Sequence, residues 1–231
     1  MRKGLTILGL FCIILFVSGT WLAPWLATST LQTNMQQRLA TQDVQVTLTA
    51  NPPWLLALGQ ADDLQAVAHA GKVGNVHFRE LTLTGQQLAI DVPALIAHNG
   101  LQVRRAQSLE LRGIIDADGL RRALTQHIDK LDNVQVDIQK DTILVTAQTK
   151  IMGRTADVEL EGLISGDSTG VYFHMTRLNI RNARLGTAKL GEMFGDITLA
   201  KPDHMPLGLQ IQDVEQTDGS VIITAVRPAE D

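Results

Sequence analysis

Short runs of alternating apolar and polar residues cover most of the chain beyond residue 43, and this alternation is typical of β-strands with one buried face. The clearest run is residues 44–50, VQVTLTA, and the two prolines that follow it end the strand. Residues 54–59 then form a short apolar turn. Further strands are predicted at residues 64–68, 76–83, 88–92, 101–111, 134–138, 143–147, 156–164, 171–180, 207–214 and 221–226.

A helix is predicted from Asp116, a suitable N-cap residue, because the apolar positions after it change to helical spacing. Residues 187–194 indicate a second helix, and the glutamine-rich residues 31–39 indicate a mildly amphipathic stalk helix. Residues 93–98 are expected to form a brief turn. The chain is therefore mostly antiparallel β with two or three helices. The helical positions after Asp116 are Leu120, Leu124, Ile128 and Leu131.

Two stretches of the chain resemble each other weakly. Residues 31–48 and 121–138 each combine a helix-like run with a V-Q-V strand. This indicates either duplicated helix-plus-sheet units or separate strands of similar composition.

The N-terminal segment has the composition of a membrane-spanning helix. Residues 5–27 are nearly all apolar, and no charged side chain follows Arg2 and Lys3 before Arg38. At ~1.5 Å per residue such a helix spans roughly the ~30 Å hydrocarbon core of a bilayer. The two basic residues favour the cytoplasmic side, which places the rest of a single-pass protein outside the cytoplasm. A retained anchor is favoured over a cleaved signal peptide, because the flanks of Ala23 and Ala27 suit cleavage poorly.

These features divide the chain into an anchor or signal segment at residues 1–30, a stalk helix at 31–43 and a β-rich domain at 44–231. The single cysteine, Cys12, lies in the anchor, so the exported part has no disulfide and depends on a hydrophobic core. A net charge of -4 with both signs interspersed argues against nucleic acid as a partner.

Residues 166–170, GDSTG, fit the G-x-S-x-G pattern of hydrolase nucleophiles around Ser168. That motif requires a strand before the serine and a helix after it. Here β-branched and aromatic residues follow, so a strand–turn–strand hairpin is predicted, with Ser168 in a solvated loop. An esterase that uses Ser168, with His174 or His204 as the base, stays a third hypothesis.

Other catalytic signatures are missing from the sequence. The six histidines do not form any metal-ligand spacing, and neither a phosphate-binding loop nor a dinucleotide fingerprint occurs. Asp116 and Asp118 fit the start of a helix better than an acid–base pair. We therefore predict that the protein has no metal or cofactor and is not an enzyme.

Several strands have apolar residues on both faces, which requires a second layer, a ligand in a groove or a partner protein. Aliphatic strand interiors suit the acyl chain of a lipid, and the chain is only 4% aromatic. The candidate groove residues are Val134, Val136, Ile143, Val145, Val158, Leu160, Phe173, Met175, Leu120, Leu124 and Ile128.

Basic residues are the candidates for phosphate headgroup contacts, because guanidinium groups pair well with phosphate. The series chosen is Arg177, Arg181 and Arg184. Ordinary surface charge is the alternative interpretation of this series.

The order of these segments resembles the LmeA-like phospholipid-binding family. The resemblance rests on VTLTANPPWLLALGQADDLQAVAHAGKVGNVHFRELTLTGQQLAIDVPALI, on LRGIIDADGLRRAL and on PLGLQIQDVEQTDGSVIITAV, which span residues 44–226. It implies an α+β fold, mainly antiparallel β, in which a long curled sheet packs on one or two helices, as in tubular lipid-binding domains. It also implies an extracytoplasmic protein that binds phospholipid passively during cell-envelope assembly. The alternative function is an envelope scaffold that binds a protein partner through its apolar face.

Overall fold

The structure is a computed structural model that describes residues 29, 31–33, 35–37, 39–74, 76–96, 101–127, 132–151, 154–181, 196–200 and 206–228. The groove candidate Ile128, the headgroup candidate Arg184, the membrane segment 5–27 and the predicted helix at 187–194 lie outside the described residues. No helix among the described residues is both long and apolar enough to cross a membrane.

The first half of the fold is a seven-stranded antiparallel sheet. Its strand order is β1-β2-β5-β7-β14-β13, with β6 paired to β5. The strands are β1 (Val44–Thr49), β2 (Gln60–His69), β5 (Glu80–Ile90), β6 (Val103–Arg105), β7 (Ser108–Asp116), β13 (Gln210–Thr217) and β14 (Ser220–Val226), and a small separate ribbon pairs β3 (Lys72–Val73) with β4 (Val76–His77).

The second half is a five-stranded antiparallel sheet in the order β12-β11-β10-β9-β8. Helix α2 (Ala117–His127) contacts both edge strands of this sheet, so the sheet curls around the helix as a half-barrel. The strands are β8 (Asp132–Ile138), β9 (Ile143–Ile151), β10 (Arg154–Asp167), β11 (Gly170–Arg181) and β12 (Ile197–Ala200).

Helix α2 starts where the sequence predicts it. The Asp116 carboxylate accepts a hydrogen bond of 2.8 Å from the Gly119 amide, which satisfies one free donor of the first turn. Leu120 and Leu124 are fully buried under the half-barrel. A shorter helix, α1 (Val92–Ile96), lies where a turn was expected, and Asp91 caps it by accepting a hydrogen bond of 3.0 Å from the Ala94 amide.

The two sheets share one hydrophobic core because β10 runs past the half-barrel and lies against β13. Gly166 allows this close approach, since a β-carbon there would collide with the side chain of Val214. The hairpin turns of the two sheets also meet, with the Gly219 amide donating to the Ile138 carbonyl at 2.8 Å. The described chain therefore forms one elongated body.

The sequence predicted two separate strands, one on each side of Gly85, and this prediction was wrong for β5. The strand is continuous from Glu80 to Ile90. Gly85 is not a break but a site of close packing, because Leu109 and Leu88 occupy the space of its missing side chain. Strand β7 likewise continues beyond residue 111, where the predicted strand ended, and reaches Asp116.

His77, on β4 beside α2, is the one described side chain with a buried nitrogen, Nδ1, that lacks a hydrogen-bond partner. Burial, and then the positive charges of Arg122 and Lys72, lower the pKa of His77 below its usual value near 6.5. The unfolded chain therefore binds a proton at a higher pH than the folded chain does. The stability that depends on neutral His77 is complete above pH ~6.5 and is lost as the pH falls through the folded pKa.

We predict that His77→Phe weakens the loss of stability between pH 8 and pH 5, because phenylalanine keeps the ring and cannot be protonated. Thermal unfolding of the detergent-solubilised full chain at several pH values measures this effect. Comparison of the variant with the unmodified protein at pH 8, well above the usual pKa of histidine, separates the pH effect from any change in packing. An unchanged slope in His77→Phe would contradict the assignment.

Candidate functional site

The inner face of the seven-stranded sheet carries unusually small side chains at its centre. The strand register aligns two rows of inward-facing residues across β1, β2, β5, β7 and β14. Small residues recur in both rows, so the sheet itself leaves space above its centre. The first row is Val44, Ala68, Leu81, Gly113 and Ile223, and the second is Val46, Ala66, Leu83, Leu111 and Ala225.

Neighbouring side chains fill part of this space. A β-carbon at Gly113 would lie 2.5 Å from Phe78 Cε1, so the Phe78 ring occupies that position. The space above Ala66 and Ala68 stays open and forms an apolar groove. It encloses about 90 Å³, and the whole space between its walls, including the part open to solvent, is about 660 Å³.

We call this space the groove, and all ten side chains that line it are apolar. Its floor is buried sheet, whereas its rim and cover are partly exposed to solvent. The cover comes from the helical residues between 29 and 39, which fall in the predicted stalk and pack on the sheet with Leu31 fully buried. The lining residues are Met35, Leu39, Ala66, Ala68, Val73, Leu81, Leu83, Leu101, Leu111 and Leu207.

The groove candidates chosen from sequence gather in the other half of the molecule, around α2. The inner face of the half-barrel carries large buried side chains such as Leu160 and Phe173 beside the smaller Ala147 and Ala156. Whether any of these residues contacts lipid stays a prediction. Leu120, Leu124, Ile143, Val145, Val158, Leu160 and Phe173 are buried, and Val134, Val136 and Met175 are partly buried.

A second cavity of about 600 Å³ lies beside β8, β9 and β10 and includes Val134, Val158 and Arg181 of the predicted residues. Its lining is seven polar or charged residues and three apolar ones, which suits water better than an acyl chain. The polar residues are Asn133, Gln135, Thr146, Gln148, Asp157, Glu159 and Arg181.

The headgroup candidates have acidic partners. Arg177 pairs with Glu161 at 3.2 Å, and Arg181 pairs with Glu159 at 2.9 Å, in both cases across strands β10 and β11. These four side chains lie on the outer face of the half-barrel, away from the groove. A phosphate at either arginine would have to compete with a carboxylate that is already in place.

Comparison with known proteins identifies the chain at the level of its family. A family model described as LmeA-like phospholipid-binding matches residues 19–226. The chain belongs to this family. No curated protein and no solved structure gives a significant match. The resemblance inferred from the order of the strands is thereby confirmed, and the LmeA-like family is a lipid-binding one, not a known enzyme family.

In this LmeA-like protein, Ser168 lies in a hairpin turn, as the sequence predicts. Strands β10 and β11 pair as far as Asp167 and Gly170, and a strand, not a helix, follows the serine. The side-chain hydroxyl and then the amide of Thr169 donate to the Asp167 carboxylate, and they lower the pKa of Asp167. These contacts organise a turn, and they do not activate Ser168.

A different serine contacts a histidine. Ser165 Oγ lies 2.6 Å from His174 Nε2, and His174 Nδ1 lies 2.7 Å from Asp196 Oδ1. This is the order of groups in a serine hydrolase triad. This contact was not predicted from the sequence. The turn of the hairpin is centred on residues 168 and 169, and the resulting register puts Ser165 and His174 on the same outer face of the sheet.

The surroundings of Ser165 do not favour catalysis. The side chains of His174 and Asp196 are 41% and 59% exposed, so water competes for both hydrogen bonds. Hydrolases place such groups in a dry pocket with donors aimed at the developing oxyanion, whereas these lie on the open face of a sheet. Ser165, His174 and Asp196 therefore tie β12 to the hairpin of β10 and β11. Separately, no cluster of three or more metal-ligating side chains occurs among the described residues.

We predict that Ser165→Ala and Ser168→Ala leave the hydrolysis of p-nitrophenyl esters at the rate of the unmodified protein. The measurement compares initial rates of the two variants over a series of acyl-chain lengths. A loss of hydrolysis in Ser165→Ala that Ser168→Ala does not share would show that the exposed serine is a nucleophile.

Proposed function

We propose that this protein binds phospholipid passively, with an acyl chain in the groove over the seven-stranded sheet and the headgroup at its rim. The observation that carries the proposal is an open groove lined only by apolar side chains in a member of a phospholipid-binding family. A water molecule in such a space finds few hydrogen-bond partners. A methylene chain needs none, so it can replace the water there.

The size of the groove determines how the acyl chain must lie. The accessible volume of about 90 Å³ is smaller than the ~150 Å³ of a cavity that holds one benzene molecule. Burial contributes about 0.8 kcal/mol per methylene, whereas association costs at least ~4 kcal/mol. More than about five buried methylenes are therefore needed for net binding. The tail must run along the wider, open part of the groove, whose full volume is about 660 Å³.

The cover of the groove can adapt without unfolding. Gln32 Nε2 donates to the Val44 carbonyl at 2.7 Å, and Thr41 Oγ1 donates to the His69 carbonyl at 2.6 Å, so both ends of the cover are fixed to the sheet. Met35 and Leu39 lie between these two anchors. A flexible methionine side chain can change rotamer to admit a tail while the backbone stays in place.

The N-terminal sequence supports a role at the membrane. The apolar residues 5–27 and the basic pair Arg2 and Lys3 support a retained membrane anchor with the β-rich domain outside the cytoplasm. From that position the protein would take up phospholipid from the membrane and present it to the machinery that assembles the envelope. An envelope scaffold without bound lipid is the alternative that the following test separates from this proposal.

We predict that Ala68→Leu reduces the amount of phospholipid bound, because the added carbons extend from the floor into the groove. Native mass spectrometry and lipid extraction of the purified full chain give the bound amount per protein. Ala68 is buried, and its neighbours in the groove leave room for a larger side chain, so the variant should fold.

Ala156→Leu is the matched control, since Ala156 is equally buried on the inner face of the half-barrel. It should retain lipid, apart from any loss of stability through overpacking. Equal lipid content in Ala68→Leu and the unmodified protein would place the lipid elsewhere. A lipid-free protein that also fails to take up added phospholipid would contradict the proposal itself.

A further inference from the structure

A turn at one end of the seven-stranded sheet exposes apolar side chains. Among the described residues the large hydrophobic side chains exposed to solvent are Trp54 at 37%, Leu58 at 65% and Leu163 at 40%. Two of these three lie in residues 52–58, PPWLLAL, where Pro52, Pro53 and Ala57 are exposed as well. We call residues 52–58 the apolar tip. It contains no charged side chain.

The backbone holds the tip in this exposed arrangement. Residues Pro53–Leu58 form a 3-10 helix that ends at Gly59, whose φ of 78° is the left-handed conformation that favours glycine. The Leu56 side chain is buried beneath the tip and fixes it to the sheet. The Asn51 amide donates to the Asp62 carboxylate at 2.6 Å and fixes its start. Trp54 and Leu58 are thus presented outward by a rigid element.

The tip directly precedes β2, and the groove floor at Ala66 and Ala68 lies six and eight residues beyond Gln60, the first residue of that strand. Leu101 lies on the side of the groove that is nearer the tip. The Ile90 amide donates to the Gly59 carbonyl at 2.6 Å, directly after the tip. The next residue, Asp91, donates its amide to the Gln102 carbonyl at 2.9 Å, and Leu101 beside it lines the groove. A short path of backbone hydrogen bonds therefore connects the tip to the Leu101 end of the groove.

The chemistry of the tip fits a lipid surface. Tryptophan prefers the interface between headgroups and acyl chains, and leucine prefers the acyl region. The exposed residues near the tip carry both signs of charge, because Asp62 and Asp63 follow it on β2 and Arg105 lies two strands away at the level of Gln60, so no one-signed rim selects for anionic lipids. Docking through such a surface would be hydrophobic and nearly insensitive to salt.

We propose that the apolar tip docks on the surface of a phospholipid bilayer and thereby brings the Leu101 end of the groove to the lipid. The use of this contact for lipid uptake rests on the proposed function of the groove, whereas the docking itself depends only on the tip.

The test uses Trp54 as a fluorescent reporter in the full chain. Trp21→Phe and Trp25→Phe together leave Trp54 as the single tryptophan, because the sequence has three. The protein is reconstituted in phosphatidylcholine vesicles with brominated acyl chains, which quench tryptophan at short range. We expect strong quenching of Trp54 that 0.5 M salt leaves unchanged, a concentration at which the Debye length is only about 4 Å.

Three further variants make the result specific. A reporter at the third exposed hydrophobic position, Leu163→Trp with the other tryptophans replaced by phenylalanine, should be quenched much less. Leu58→Ser, at an exposed position that does not support the fold, should shift the docking equilibrium about tenfold toward the free state. Ala68→Leu should leave the quenching of Trp54 unchanged, which separates docking of the tip from lipid binding in the groove.

Equal quenching at positions 54 and 163 would mean non-specific adsorption and would overturn the proposal. So would an unquenched Trp54, including one shielded by a protein partner. If Trp54 is quenched but no lipid is bound in the groove, the docking of the tip is supported and only the proposed function is refuted.

Discussion

The structure depends on how the inner face of an antiparallel sheet is covered. A curled sheet cannot bury its own apolar face, so another layer must fill the space above it. Over the half-barrel, helix α2 does so with the buried Leu120 and Leu124, and it contacts both edge strands of the sheet. Over the seven-stranded sheet, the floor contains Ala66 and Ala68, and the cover is a short run of helical residues.

The open and wholly apolar groove distinguishes the seven-stranded half from the half-barrel, although helical residues precede the first strand of both in the sequence. Interiors pack at the density of organic crystals, so a few missing methyl groups leave a real hollow. The cavity beside the half-barrel is lined mainly by polar residues. Over the seven-stranded sheet the hollow is open and apolar, so an acyl chain can replace the missing side chains. The exposed apolar tip belongs to this seven-stranded half.

Much of the fold follows from residue patterns. Strict alternation predicted β1, the hairpin of β10 and β11 and the hairpin of β13 and β14, and helical spacing after Asp116 predicted α2. The groove could not be predicted in the same way. Alternation shows which side chains face inward, but it does not show whether other side chains fill the space above them. Alternation already places Ala66 and Ala68 on one face of β2, but only the packing of the helical residues 31–39 above that face shows that the space over them stays open. The Ser165–His174 contact was not predicted from the sequence either.

The most direct test of the account is where the acyl chain of a bound phospholipid lies. Alanine methyl groups report this by nuclear Overhauser contacts to the chain methylenes, in deuterated full-length protein loaded with protonated phospholipid. Ala66 and Ala68 line the groove, whereas Ala147 and Ala156 are buried in the half-barrel. The account predicts contacts from the lipid to the first pair alone, and contacts to the second pair alone would contradict it.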